Sequence, residues 1–443
     1  MSEITEISSI NPAFPVSASA CIHREVSTLL NQRRQDTEQL LARLLQIPST
    51  SGNERELVMF LAQWAGQNGF EADLFETTES QLQAYPQVKL PHIPLAGRPT
   101  LVIKLPGRAT GPSLMFNGHS DVIAPGDAKR WTHGPWSGDI SDGRIYGRGA
   151  CDVKGAVASA LAAMVAIKRK YPDGLPGDVM VEIVPGEEDC VGLGTLTSHQ
   201  RGYHPDALIV LEPTEGQPRL ASRGGARFSV RVRGKAVHGT VKWLGQDAII
   251  AMRAVLENLE QLEKEFATPN PNALFANYPI MRPITVDRVE AANWQGATCD
   301  LATCQGYLEL LPADDLADWK KRLQDRLVAL HQMGKGAGCK LEIEFSEEYG
   351  GHELSAQHPL AQSACNAMVS AGLAAQSVGW SGFNAGCEAA LRWSMNRTPT
   401  LVWGPGSLAQ AHGVDEYVEL QSVHETALAL ALCAIHWTTL PVK

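Results

Sequence analysis

"SLMFNGHSDV", residues 113–122, runs from an apolar segment straight into His119 and Asp121. A short apolar run that ends in side chains of this kind reads as a buried strand delivering chemistry at its carboxyl end. Successive residues of an extended strand face opposite ways, so His119 and Asp121 share one face and Ser120 takes the other. That alternation argues against a Ser/His/Asp triad at this point, and no G-x-S-x-G elbow occurs in the chain.

Three further runs have the same form: "TLVIKLPG" (100–107), "VMVEIVPGEED" (179–189) and "DALIVLEPT" (206–214). The apolar helix "KGAVASALAAMVAIKRK" (154–170) falls among them, and two helices, 24–47 and 54–69, precede them across the turn "PSTSGN". Such alternation predicts an α/β sheet with its chemistry at strand ends. Near residue 218 the pattern changes to period two in "ARFSVRVRGKAV", followed by the long helix 245–266. Strand-like segments near 280–289 and 303–311, the helix 313–333 and the strand "KLEIEFSEE" (340–348) complete a β-α-β-β-α-β order, which resembles a ferredoxin-like unit. After residue 351 the α/β texture returns. The expected organisation is a discontinuous catalytic domain, 1–217 and 351–443, carrying an inserted domain over 218–350.

Bulk properties limit the function classes. At 443 residues, with 44% hydrophobic and 19% charged, the chain is long enough for two cores and has no low-complexity tract. A formal charge of −10 argues against nucleic acid or an anionic membrane as partner. Nine scattered cysteines without a CxxC pair suit reduced thiols in the cytoplasm. The amino terminus has acids where a secretory leader has lysines, so no leader is expected. The longest apolar stretches, "AVASALAAMVAI" and "ALALALCAI", are about half the ~20 residues of a membrane span and read as core helices.

The chemistry-bearing residues at strand ends are His119 and Asp121, Asp152 in "GRGACDVKG", Glu187 and Glu188 in "PGEED", Glu212 in "LEPT", and His412 in "AQAHGVDEYV". Each alone has an ordinary explanation as a core histidine, helix cap or turn acid. Together they converge on one sheet edge, where several carboxylates repel one another unless divalent cations neutralise them. Imidazole and carboxylate donors without a thiolate suit zinc, cobalt or manganese. Cys151 and Cys387 have no histidine beside them in sequence and make poor nucleophiles on that ground.

The segment 118–155, then "GEED", "EPT" and "GPGSLAQAHGVDE", resembles the M20-type dinuclear metallo-amidohydrolases typified by acetylornithine deacetylase and succinyl-diaminopimelate desuccinylase. The resemblance runs from about residue 35 to the carboxyl terminus. It implies a zinc-exopeptidase-like α/β/α catalytic domain with a ferredoxin-like lid through which the chain forms a homodimer. It further implies two divalent ions, most naturally Zn2+ with Co2+ or Mn2+ as alternatives. His119 and Glu212 would hold one ion, Asp152 would bridge both, and Glu188 and His412 would hold the other. Glu187 would be the general base, and Asp121 would accept a hydrogen bond from the far nitrogen of His119. His238 in "GKAVHGT" would reach across the dimer to the oxyanion, a cis peptide would join Asp152 to Val153, and Glu388 in "FNAGCEAAL" would be a further pocket acid. The implied reaction is hydrolysis of the amide of a small N-acylated amino acid or amine. A dipeptidase, a carboxypeptidase, a deformylase or a silent binding scaffold are the alternatives. One departure stands out: Glu309 occupies the place of a lid arginine that commonly grips a substrate carboxylate. Arg223, Arg227 and Arg282 are either substitutes for it or solvated lid arginines.

Overall fold

The computed structural model describes residues 16–83, 93–189, 192–266, 272–291, 294–332 and 338–441. The first fifteen residues, where the leader was sought, and Cys190 lie outside the described residues. A six-stranded sheet is built from β1 (Glu71–Glu76), β2 (Pro99–Leu105), β3 (Leu114–His119), β4 (Val179–Val184), β5 (Ala207–Val210) and β10 (Thr400–Val402), in the order β1-β2-β4-β3-β5-β10. The four strands β4, β3, β5 and β10 run parallel, while β1 and β2 are antiparallel additions at one side. Every residue of β3, β4 and β5 is buried, as expected of strands covered on both faces.

Helices α1 (Val16–Gln32), α2 (Arg34–Leu45), α3 (Arg55–Gln67), α4 (Gly155–Lys170), α5 (Leu193–Gln200), α8 (Pro359–Ser370), α9 (Ala389–Asn396) and α10 (Leu420–Thr438) belong with this sheet. One continuous core joins the sheet's Phe116, Val181 and Ile209 to Leu161 and Met164 of α4 and to Leu430 and Leu432 of α10. The run Ala150–Lys170 is long and apolar enough to cross a membrane by composition, yet 89% of its most apolar window is buried within the protein, the position of a core helix. The single helix expected over 24–47 is two, because the turn at Arg33 interrupts it.

A second sheet contains β6 (Gly224–Arg233), β7 (Ile284–Ala291), β8 (Leu301–Leu310) and β9 (Lys340–Tyr349), all antiparallel in the order β7-β8-β6-β9. Helices α6 (Ala248–Phe266) and α7 (Leu316–Gln332) cover one face. Alternation along β6 and β8 turns Phe228, Val230, Val232, Ala302, Cys304 and Leu308 inward against Val255 and Leu259 of α6 and Leu323 and Leu327 of α7. This is the strand order of a ferredoxin-like unit. The chain passes between the two sheets through a small one made of Ala221–Ser222, His352–Glu353 and Gly382–Phe383. Ser222 Oγ and His352 Nδ1, 2.8 Å apart, tie the outgoing and returning strands together.

Candidate metal centre

Four of the candidate residues follow directly from the parallel register. His119 ends β3, Glu187 and Glu188 lie in the turn after β4, and Glu212 follows β5, so neighbouring strands bring them to one edge. Asp152 enters from the turn before α4, and His412 from the loop after β10. Ligand atoms of His119, Asp152 and Glu188 all lie within 4.8 Å of one another. His119 Nε2 is 3.0 Å from Asp152 Oδ1, and His412 Nε2 is 3.4 Å from Asp152 Oδ2 and 3.2 Å from Glu188 Oε2. Asp152 thus stands between the two imidazoles, one at each carboxylate oxygen. The peptide bond from Asp152 to Val153 is cis, as the resemblance implies.

The surroundings hold these groups under electrostatic tension. Burial and then the charges of Glu187 and Asp152 push the carboxyl of Glu212 well above the usual range. Burial likewise raises Glu187, with Glu188, Asp152 and Glu388 adding to it against the opposing pull of His119, and it raises Glu188, where Asp152 adds. Burial opposes ionisation of Asp152 too, but hydrogen bonds from His119 and His412 outweigh it and hold that carboxyl low. Those to Asp152 and Glu188 push His412 up to about 10. Among the described residues no lysine or arginine pairs with any of these four acids, and two imidazoles cannot balance four carboxylates even when both are protonated. The donor set, oxygen and imidazole nitrogen with a deficit of positive charge, fits divalent cations.

Asp121 departs from expectation. The His119 ring donates through Nδ1 to the backbone carbonyl of Asp121 at 2.8 Å, while the nearer carboxylate oxygen is 3.8 Å away. The carbonyl therefore fixes the tautomer and leaves Nε2 facing Asp152. The carboxylate instead accepts the backbone N–H groups of Glu187 and Glu188, each at 3.1 Å, and the Ser51 hydroxyl at 2.9 Å. A side chain two residues after the strand is better placed to receive the adjacent turn than to reach back to a ring held by its own main chain. Ser120 faces away, donating its hydroxyl to the Val184 carbonyl.

Two supports gave no clear sequence signal. Glu54, Arg98 and Asp189 lie behind Asp121; Arg98 donates to Glu54 at 2.6 and 2.9 Å and to Asp189 at 2.6 Å, so this acidic group has its own internal cation. Gly186 is needed beside it, since its φ is +75° and a Cβ there would lie 2.9 Å from Arg98. Glu416, four residues after His412, accepts the N–H groups of Cys151 and Asp152 and pairs with Arg148 at 2.6 Å, binding the His412 loop to the Asp152 turn.

His238 is exposed and sits 2.8 Å from the Thr240 hydroxyl; among the described residues it touches none of the cluster. Glu388 is buried, accepts the Gly192 N–H at 2.8 Å, and is pushed up to about 7 by burial. The candidate arginines are committed elsewhere. Arg227 pairs with Asp287 and Arg282 with Asp314, while Arg223 donates to Asn384 and Met281. Arg223 and Arg282 are buried, contrary to the solvated reading. Glu309 is shielded, accepts from the Tyr349 hydroxyl at 2.8 Å, and is raised to about 7 by burial.

An α/β sheet whose parallel edge gathers imidazoles and carboxylates has the donor set of a metal-dependent hydrolase. The chain belongs to peptidase family M20/M25/M40, whose sequence model matches residues 115–436. It is 27% identical over 399 residues to an acetylornithine deacetylase of Proteus mirabilis, covering 88% of this chain and 93% of that one. It is also 27% identical over 370 residues to the N-formyl-4-amino-5-aminomethyl-2-methylpyrimidine deformylase of Bacillus subtilis, covering 77% and 83%. In fold it resembles human carnosine dipeptidase 1, with a TM-score of 0.76 at 16% identity over 95% of this chain and 99% of that structure. The protein is therefore a hydrolase of amide bonds with an α/β body and a lid.

Proposed function

We propose that the chain removes the acyl group from a small N-acylated amino acid, using two divalent ions. The observation that carries this reading is the set of four carboxyls and two imidazoles gathered at the sheet edge, with Glu187 among them yet outside the His119–Asp152–Glu188 contact group. His119 and Glu212 would hold one ion, Glu188 and His412 the other, with Asp152 shared; zinc suits these donors, and cobalt or manganese would substitute. Bound there, the ions supply polarisation of the acyl carbonyl and acidification of water.

The chain's own residues do the rest. Asp121 fixes the backbone of Glu187, so its carboxylate is positioned to take the proton of the attacking water and return it to the leaving nitrogen. His238, exposed on the lid, would donate to the developing oxyanion from a second copy of the chain. Exposed Trp243 and Leu244 follow it closely in the chain, exposed Trp294 lies three residues before Ala297, with which His238 forms a bridge, and together they support dimerisation through the lid. A monomer in sedimentation equilibrium at micromolar concentration would remove that part of the account.

Zinc-, cobalt- or manganese-loaded protein assayed on N-acetyl, N-succinyl and N-formyl amino acids beside dipeptides tests the whole. Turnover of acyl amino acids is expected; cleavage confined to dipeptides would replace the deacylase reading with a dipeptidase.

A further inference from the structure

A cavity of about 350 Å³ is lined in part by segments that adjoin the candidate ligands in the chain. One wall begins at Pro213, next to Glu212, and continues through Thr214, Glu215 and Arg219. Ser407 forms part of the opposite wall, and its carbonyl accepts from Cys151, the neighbour of Asp152. Asn277, Tyr278, Ser381 and Asn384 complete the polar lining. The volume is that of a small-molecule site.

Two of its polar side chains, Arg219 and Asn384, keep unspent donors, while the hydroxyls of Thr214, Tyr278 and Ser407 are committed to Gly404, Gly382 and Glu215. Arg219 gives Nη1 to the Ser381 hydroxyl and Nη2 to the Thr214 carbonyl at 3.2 Å. Among the described residues its nearest carboxylate is Glu215, 3.9 Å from Nη2, and Glu215 already accepts from Ser407 at 3.0 Å. The remaining N–H groups of this guanidinium are available. Asn384 is oriented from behind: its Oδ1 accepts Arg223 Nε at 2.9 Å and Nη2 at 2.6 Å, which directs its NH2 group the other way. Arg223 is fully buried and hydrogen-bonds no carboxylate among the described residues, so its charge acts through Asn384 on the cavity.

We propose that this cavity seats the free carboxylate of the substrate's amino-acid half, held by Arg219 and the Asn384 amide. Arg219 then does what Arg227 and Arg282, locked in their own ion pairs, cannot. The chain accordingly selects N-acyl amino acids over N-acyl amines that lack a carboxylate. This inference rests on the deacylase reading.

The test compares kcat/KM for the best N-acetyl-L-amino acid of a panel with that for its carboxamide, in wild type, Arg219→Gln, Arg219→Lys and Asn384→Leu. Wild type is expected to prefer the carboxylate by about a hundredfold or more. Arg219→Gln and Asn384→Leu should collapse that preference chiefly through KM for the carboxylate, with the carboxamide within about threefold of wild type, and Arg219→Lys should restore part of it. Equal loss on both substrates in Arg219→Gln and Asn384→Leu would reduce these residues to structural supports and overturn the proposal. Wild-type preference for the carboxamide would also overturn it while leaving the hydrolase reading intact. If no amide in the panel is cleaved, the deacylase reading itself falls, and this inference with it.

Discussion

His119 and Asp121 divide their labour through different atoms: the imidazole of one faces Asp152, and the other gives its carbonyl to that ring and its carboxylate to the turn that bears Glu187. Asp121→Ala should therefore lower kcat by about 10- to 100-fold, by analogy with groups that orient metal ligands. Ser120→Ala removes one hydrogen bond to Val184 and should cost about 1 kcal/mol of stability with kcat within twofold. Steady-state kinetics beside urea unfolding separates the two outcomes. Strand alternation made the facing of His119 and Ser120 legible in sequence. The Asp121 contacts were not legible, because they depend on how a turn 66 residues further on folds against it. Glu309 offers a second residue-scale check. Its carboxyl ordinarily titrates near 4.5 and is raised to about 7 in the fold, so the native state holds the proton more tightly than the unfolded one. Stability from this group is then level below about 4.5, falls as pH rises to about 7, and is level above, for a total of roughly 3 kcal/mol. Glu309→Gln should unfold much like wild type at pH 4 and be the more stable at pH 8, in urea melts at both values; equal pH dependence would contradict the buried assignment.

The elements that carry ligands were the easiest to read, because β3, β4 and β5 are uninterrupted apolar runs with polar ends. β1 was missed, since "EADLFE" is half acidic and owes its strand form to antiparallel pairing with β2 rather than to its own pattern. The lid strand β6 announced itself by its period-two pattern, and the break at Arg33 between α1 and α2 had no glycine or proline to mark it. How elements are locked together was not readable at all. Arg98, just before β2, joins Glu54, just before α3, to Asp189 in the turn after β4. Removing the guanidinium leaves Glu54 buried without a cation, so Arg98→Met should destabilise the protein by about 3–5 kcal/mol. Adding Glu54→Gln should recover part of that loss in guanidinium melts; strict additivity of the two changes would show that the pair is not coupled.

At the scale of the whole molecule, the parallel half of one sheet concentrates acids that the fold leaves short of positive charge, and the lid sheet stands beside them on a two-way crossing at Ser222 and His352. The sequence patterns disclosed both sheets and the edge where the site lies, since each rests on local periodicity. The use of Glu416 and Arg98 as braces depends on contacts far apart in the chain, where a lone acid or arginine has no distinguishing pattern. The central claim is that the cluster binds cations for amide hydrolysis and that Glu187 moves the proton without being needed to hold them. It is tested most directly by the turnover number of Glu187→Gln measured on protein whose bound zinc has been counted by mass spectrometry. The expected result is two zinc ions per chain, as in wild type, with kcat on an N-acyl amino acid lowered by about 10²- to 10⁴-fold. Full turnover in that variant, or a wild type whose rate survives complete removal of metal, would contradict the account.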